Sequence, residues 1–222
     1  MISTGSNALD ALLKVRRGLL YCIFGAAGSG KTQLCMQLIV NTLKQERGSI
    51  LVIDAKGEFR VERVVELLYL NDVKANDVER LTDRVYITRV YTVDELIRSL
   101  QYMYSDRILV VIEDAPLLVR AEYAGKGGEG SLMMMKFMHD LAVNTVMINS
   151  ISIVTNGITY IDGVERQIMD RPLSIFSHYK LMLRRIGSRN DYTLINAVLT
   201  YPMSGSANFF ICREGIRDVD VL

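Results

Sequence analysis

The chain has 222 residues, half of them hydrophobic, and a formal net charge of +1. That is enough apolar material to build one core around a sheet, and too little net charge for the bulk field to draw the chain onto nucleic acid or an anionic membrane. Any affinity for nucleic acid therefore has to come from a local cluster of Lys and Arg. Cys22, Cys35 and Cys212 have no CxxC spacing and lie in apolar runs, which reads as small buried hydrophobes in a reducing compartment. The opening MISTGSNALD lacks the basic and apolar regions of a signal peptide, and no apolar run reaches about 18 residues. The expectation is an intracellular, cytoplasmic chain that does not span a membrane.

Strand-like and helix-like segments alternate along the first two thirds. Leu19 to Phe24 is a short apolar run ending at glycines, typical of a buried strand. Lys31 to Gln45 places Leu34, Cys35, Leu38, Ile39 and Leu43 on one helical face. Ile50 to Asp54 reads as a second strand, and Val61, Val64, Val65 and Leu68 mark a second amphipathic helix. Val85 to Val90 is a third strand. Thr92 with Glu95 forms a capping box that opens a helix through Leu96, Leu100 and Met103. Ile108 to Ile112 is the most hydrophobic strand; a glycine-rich loop at Gly125 to Gly130 then leads into a helix near Leu132 to Val146, and Ser150 to Thr155 is a further strand. Asn156 to about Pro172 has no period and reads as a long polar loop. His178 to Arg184, Tyr192 to Thr200 and Ala207 to Cys212 read as strands, with a hairpin turn at Gly187 to Asp191. This order predicts an α/β fold: a mostly parallel twisted sheet, helices on both faces, and antiparallel strands at its C-terminal edge.

Gly25-Ala26-Ala27-Gly28-Ser29-Gly30-Lys31-Thr32 satisfies G-x-x-x-x-G-K-[ST]. Glycines let backbone N–H groups turn toward phosphate oxygens, and the following helix aims its positive end at the same anion. Lys31 is expected on the β- and γ-phosphates and the Thr32 hydroxyl on Mg²⁺. The motif follows a buried strand and opens an amphipathic helix, the context it requires, so the expected ligands are ATP and Mg²⁺. Such sites also use a carboxylate at the end of a hydrophobic strand near the metal. Ile108 to Ile112 ends in Glu113-Asp114, which supplies two candidates.

Several segments resemble one family, the RecA/RadA-type recombinases. Ile2 to Leu13 is similar to the stretch that opens their ATPase core, and Gly25 to Asn41, which includes Gln33, to their phosphate loop and its helix. Asp54, Gly57, Phe59, Arg60, Glu62 and Arg63 match D-T-E-G-T-F-R-P-E-R. Arg120, Glu122, Tyr123, Gly125, Lys126 and Gly127 match the start of the first DNA-binding loop. Ile153 to Asn156 matches the strand before the second, and Glu214 to Asp218 the terminal strand. The resemblance implies a RecA-like P-loop core over residues 1–222, without the family's N-terminal helical domain and polymerisation linker. This describes an archaeal RadA paralogue that works with RadA or another paralogue and does not form filaments alone. It also implies that Gln33 belongs to the nucleotide site, that Arg63 stacks on adenine, and that Glu113 holds the metal-side position with Asp114 adjacent.

The chain departs from the family at the residues that drive hydrolysis. Lys56 stands where the family has its general base, a glutamate, and Gly157 where it has a γ-phosphate-sensing glutamine. Glu58 would share a strand face with Lys56 and is the candidate substitute base. ATP binding with weak or absent hydrolysis follows. Arg120, Tyr123 and Lys126 in the first loop and Arg166 and Arg171 in the second are the candidate contacts to single-stranded DNA, with Tyr160 as a further stacking candidate. The function expected is modulation of homologous recombination and DNA repair. Two other readings stay open: an active KaiC-like signalling ATPase, and an interaction subunit without DNA binding that ATP stabilises. The methionines at 133, 134, 135, 138 and 147 suggest a core or adaptable interface, and Pro202 a turn.

Overall fold

The computed structural model describes residues 1–189 and 191–219. Its frame is a nine-stranded sheet. Four crossover-linked strands lie to one side of β1 (Leu20–Gly25) and run parallel to it: β5 (Ile151–Asn156), β4 (Arg107–Glu113), β2 (Ser49–Asp54) and, at the edge, β3 (Val85–Arg89). On the other side of β1 lies β8 (Tyr179–Arg189), also parallel to it, then β9 (Tyr192–Tyr201), β10 (Gly205–Cys212) and β11 (Gly215–Asp218), each antiparallel to its neighbour. The spatial order is β11-β10-β9-β8-β1-β5-β4-β2-β3. Every residue of β1, β2, β4 and β5 is buried, as expected of strands covered on both faces.

Alternation along these strands splits the core in two. Tyr21, Ile23, Val52, Val111 and Ile153 face one layer, formed by α1 (Asn7–Leu13), α2 (Lys31–Gln45), α3 (Val61–Leu70) and α4 (Ala75–Thr82). Cys22, Phe24, Leu51, Val110 and Val154 face the other. That layer contains α5 (Val93–Ser99), α6 (Ala115–Glu122), α7 (Glu129–Met147) and α8 (Asp170–Phe176). The α/β fold class thus stands, with helices on both faces and antiparallel strands at the C-terminal edge.

Four details differ from the sequence reading. The segment from Asn156 to Pro172 is ordered: β6 (Ile158–Ile161) pairs with β7 (Val164–Gln167), and α8 follows. These strands are four residues long and bury only Gln167, so neighbouring pairing holds them and no apolar run announces them. The Asn156 side chain fastens the base by donating to the Ile168 carbonyl at 2.6 Å, while Ile168 N–H donates to the Gly157 carbonyl. Second, Gly187 belongs to β8, where the register shifts between Arg185 and Gly187; the connection to β9 passes through Asn190, outside the described residues. Third, the helix opened by Thr92 ends at Ser99 and tightens into a 3-10 turn at Leu100–Tyr102. The Thr92 hydroxyl accepts from Glu95 N–H as a capping box requires, but the Glu95 carboxylate accepts from Tyr91 N–H. Fourth, α1, α4 and α6 were not anticipated as helices. Met134 and Met138 fill the core, while Met147 is 76% exposed. Cys22 and Cys35 are buried, and Cys212 only partly.

The two ends of the described chain are fastened together. The Asp218 carboxylate on β11 accepts from the Ser6 hydroxyl, from the Asn7 side chain and from the N–H groups of Asn7 and Ala8. It thereby satisfies N–H groups that the first turn of α1 leaves without helical partners.

Candidate functional site

The site is built on the C-terminal ends of β1, β2 and β4. Leaving β1, the chain turns through Gly25 to Gly30 into the N-terminus of α2. Gly25 lies against β8, where an added Cβ would stand 2.3 Å from the Leu183 carbonyl oxygen. Gly30 has φ +94°, a left-handed backbone, and an added Cβ would stand 2.5 Å from Ile211. Any other residue there is strained, and the end of the Ile211 side chain would have to move aside for it.

Lys31 is buried at the first turn of α2, and its ammonium donates to the carbonyls of Gly25 and Ala26, both at 3.0 Å. Burial pushes its pKa below the ordinary lysine value, opposed chiefly by the charge of Asp114 and then of Glu113. The Thr32 hydroxyl donates to Glu113 Oε2 at 3.1 Å, and the Thr155 hydroxyl donates to the same oxygen at 2.9 Å. Glu113 Oε1 is buried without a hydrogen-bond partner among the described residues. Burial raises the Glu113 pKa to about 7, against the pull of the Thr155 hydrogen bond and with a further push from Asp114. Asp114 follows in a left-handed conformation, φ 55°, and its N–H donates to Thr155 Oγ1. Glu113 and Asp114 thus part company: the first enters the core beside Thr32, the second faces the cavity.

That cavity, about 310 Å³, is lined by Ala27, Gly28, Gly30, Lys31, Thr32, Gln33, Lys56, Glu58, Asp114, Thr193 and Ile211. A neighbouring space of about 500 Å³ shares Thr32, Gln33 and Glu58 and adds Met36, Arg60, Glu62, Arg63 and Glu66. Together they could hold a polyphosphate and its base. A divalent cation also fits the donor set, since Thr32 supplies a hydroxyl, Asp114 a carboxylate, and Glu113 an oxygen with no other partner. A cation there would pull Glu113 to its charged form.

Beyond β2 the geometry departs from the strand continuation expected of Lys56 and Glu58. The strand ends at Asp54, whose fully buried carboxylate accepts from the N–H groups of Lys56, Gly57 and Phe59 at 3.1, 2.8 and 3.0 Å. The three bonds wrap residues 55–59 into a tight turn. In it the Lys56 ammonium lies 2.7 Å from Glu58 Oε2 and 3.9 Å from Asp114 Oδ2. The Glu58 hydrogen bond raises the Lys56 pKa, so the ammonium stays charged. Glu58 faces the phosphate cavity, but its carboxylate is engaged with a cation.

Arg63 is held in place from several sides. It donates to Gln33 Oε1 at 3.4 Å, to Glu66 at 2.7 Å, and to the carbonyls of Arg213 and Cys212 at 2.9 and 3.4 Å. Its guanidinium therefore lines the larger cavity while tying α3 to the turn between β10 and β11.

The candidate DNA residues are spread over several elements. Arg120 is exposed on α6, a helix and not a loop, and Glu122 on the same helix accepts from Val93 N–H. Tyr123 ends α6, with the Lys126 ammonium 4.9 Å from its ring centre. Arg166 is exposed on β7 and Arg171 on the first turn of α8. Tyr160, 68% exposed, joins Ile161 and Val164 near the tip of the β6–β7 hairpin. Sequence reasoning gave no role to Asp54 beyond its match, and missed Thr155, Thr193 and Ile211. It also missed the hairpin, although Ile161-Asp162-Gly163-Val164 carries an Asp-Gly turn signal; both central residues have positive φ, 52° and 75°.

Comparison with known proteins agrees with this geometry. The Rad51 family model matches residues 1–219. The DNA repair protein RAD51 homolog 4 of Bos taurus is 25% identical over 172 residues, 72% of this chain and 53% of that protein. Its Mus musculus counterpart is 26% identical over the same length, covering 52% of that protein. The chain thus spans about half the length of these curated relatives. The crystal structure of the RadB recombinase superposes with a TM-score of 0.81 at 25% identity, covering 99% of this chain and all of that one. The fold, the phosphate loop and the family match over residues 1–219 agree: the chain belongs to the Rad51 family of RecA-like recombination and repair proteins.

Proposed function

We propose that this chain holds ATP with Mg²⁺ mainly as a conformational ligand, and modulates recombinational repair in the cytoplasm through single-stranded DNA and a recombinase partner. The phosphate loop with Lys31 would hold the phosphates, Thr32, Glu113 and Asp114 the metal, and Gln33 and Arg63 the base. No helix among the described residues is long and apolar enough to cross a membrane.

One observation carries the claim of slow turnover. A water molecule attacking a terminal phosphate must lose a proton, and the side chains that the β2 turn presents to the cavity are a charged lysine and the carboxylate bound to it at 2.7 Å. A positioned base contributes ~10²–10⁴ in rate. Nucleotide binding would then act by favouring one arrangement of the α6–α7 connection, which β4 reaches through α6, and of the β6–β7 hairpin, which follows β5 directly.

The test is ATP turnover and single-stranded DNA binding by the pure protein with Mg²⁺, with and without a RadA-type recombinase. Tight ATP binding with turnover at least a hundredfold below the recombinase is expected. Equal turnover would overturn the reading of Lys56. Stabilisation by ATP with no response to DNA would favour the interaction subunit instead.

A further inference from the structure

Lys56 has a base fixed by hydrogen bonds and a tip that is partly exposed. Asp54 fixes the turn through three backbone hydrogen bonds, Ala55 N–H donates to the Glu113 carbonyl, and Phe59 is buried. From that base a flexible stem carries the ammonium to the cavity shared with Lys31 and Thr32. Its partners there hold it loosely. Glu58 and Lys56 are 69% and 41% exposed, and exposed pairs contribute little. Asp114, at 3.9 Å, is beyond hydrogen-bonding distance and is itself a candidate metal ligand. The two lysines facing this cavity repel one another, and each leans on a local acceptor: Lys31 on the loop carbonyls, Lys56 on Glu58. An anion between them would satisfy both.

We propose that Lys56 is a ligand for the terminal phosphate of ATP, giving this site a preference for nucleoside triphosphate over diphosphate. The inference rests on the reading of the cavity as an ATP site. With Asp114 committed as a metal ligand, the ammonium keeps one of its three donors on Glu58 and turns another to the terminal phosphate. A diphosphate that sits on the loop and Lys31 leaves Lys56 on Glu58. The residue that removes the base from this position thus supplies a cation in its place.

Calorimetric titration of the full chain with ATP and with ADP, both with Mg²⁺, tests this. The wild type is expected to prefer ATP by about tenfold, the scale of one charge-assisted hydrogen bond. Lys56→Gln is expected to bring the two affinities together while keeping that for ADP, and Lys56→Arg to retain the preference. Glu58→Gln, which frees the ammonium, is expected to tighten ATP several-fold and leave ADP unchanged. A preference that survives in Lys56→Gln, or an equal loss of both nucleotides, overturns the proposal and leaves the ATP site standing. An unchanged ATP affinity in Glu58→Gln overturns this competition between Glu58 and phosphate even should Lys56→Gln fail to fold. Failure of the wild type to bind either nucleotide sinks the ATP reading itself and this inference with it.

Discussion

The phosphate loop and the turn after β2 flank one cavity, and both have a backbone fixed from within. The loop is set by glycines pressed against β8 and β10, the turn by the Asp54 carboxylate. They differ in what their side chains present. The loop keeps the lysine and threonine its shape exists to position. The turn presents an ammonium, that of Lys56, paired with the Glu58 carboxylate. Backbone architecture and the side chains it presents are thus separable along this cavity.

The sharpest way to test that separation is to break the turn's scaffold. Asp54→Ala should destabilise the protein by about 4 kcal/mol, because it leaves three inward N–H groups without an acceptor. For a chain of this size the melting temperature should then fall by roughly 8–16 °C. A drop of a degree or two would show that the turn is not held this way. Glu113, on the strand between the two regions, gives the next effect. Its pKa is about 7 in the folded chain and 4.5 when free, so the folded state holds the proton more tightly. The stability it contributes is fully present below pH 4.5 and is lost as pH rises through 7, by at most about 3 kcal/mol. Urea melts of the metal-free protein should show that slope, and Glu113→Gln should flatten it.

On the loop side, Lys31→Ala should weaken ATP binding roughly a hundredfold while leaving the melting temperature of the nucleotide-free protein nearly unchanged, since the lysine's partners are loop carbonyls. Equal affinity in wild type and variant would remove the loop from nucleotide binding. The smallest effect concerns neither region. Arg166→Ala should lower the salt dependence of single-stranded DNA binding by about 0.7 in log–log slope, the share of one phosphate contact. An unchanged slope would take β7 off the DNA surface.

Much of this was legible because buried parallel strands write themselves as unbroken apolar runs, as in Leu20 to Phe24 and Ile108 to Ile112. The helix after the loop was equally plain from Leu34 to Leu43. Elements that draw little on the core were hidden. The α4 helix contributes only Val78 and Leu81 as buried residues, and β6 and β7 hold each other at the surface. In the site, Lys56 and Glu58 were visible as a charge pair two residues apart. That they meet across a turn, and not along a strand, depends on Asp54 reaching forward to three N–H groups. Thr155 stood in a recognisable motif, yet its bond to Glu113 spans 42 positions of sequence and exists only once β4 and β5 lie side by side.

The Asp218 clamp carries a consequence for the order of assembly. The first helix leaves the ribosome some two hundred residues before the carboxylate that completes its opening turn. Until β11 arrives, the N–H groups of Asn7 and Ala8 have only water to bind. The opening turn of α1 is therefore complete only once β11 has joined the sheet, so the two elements are fixed together.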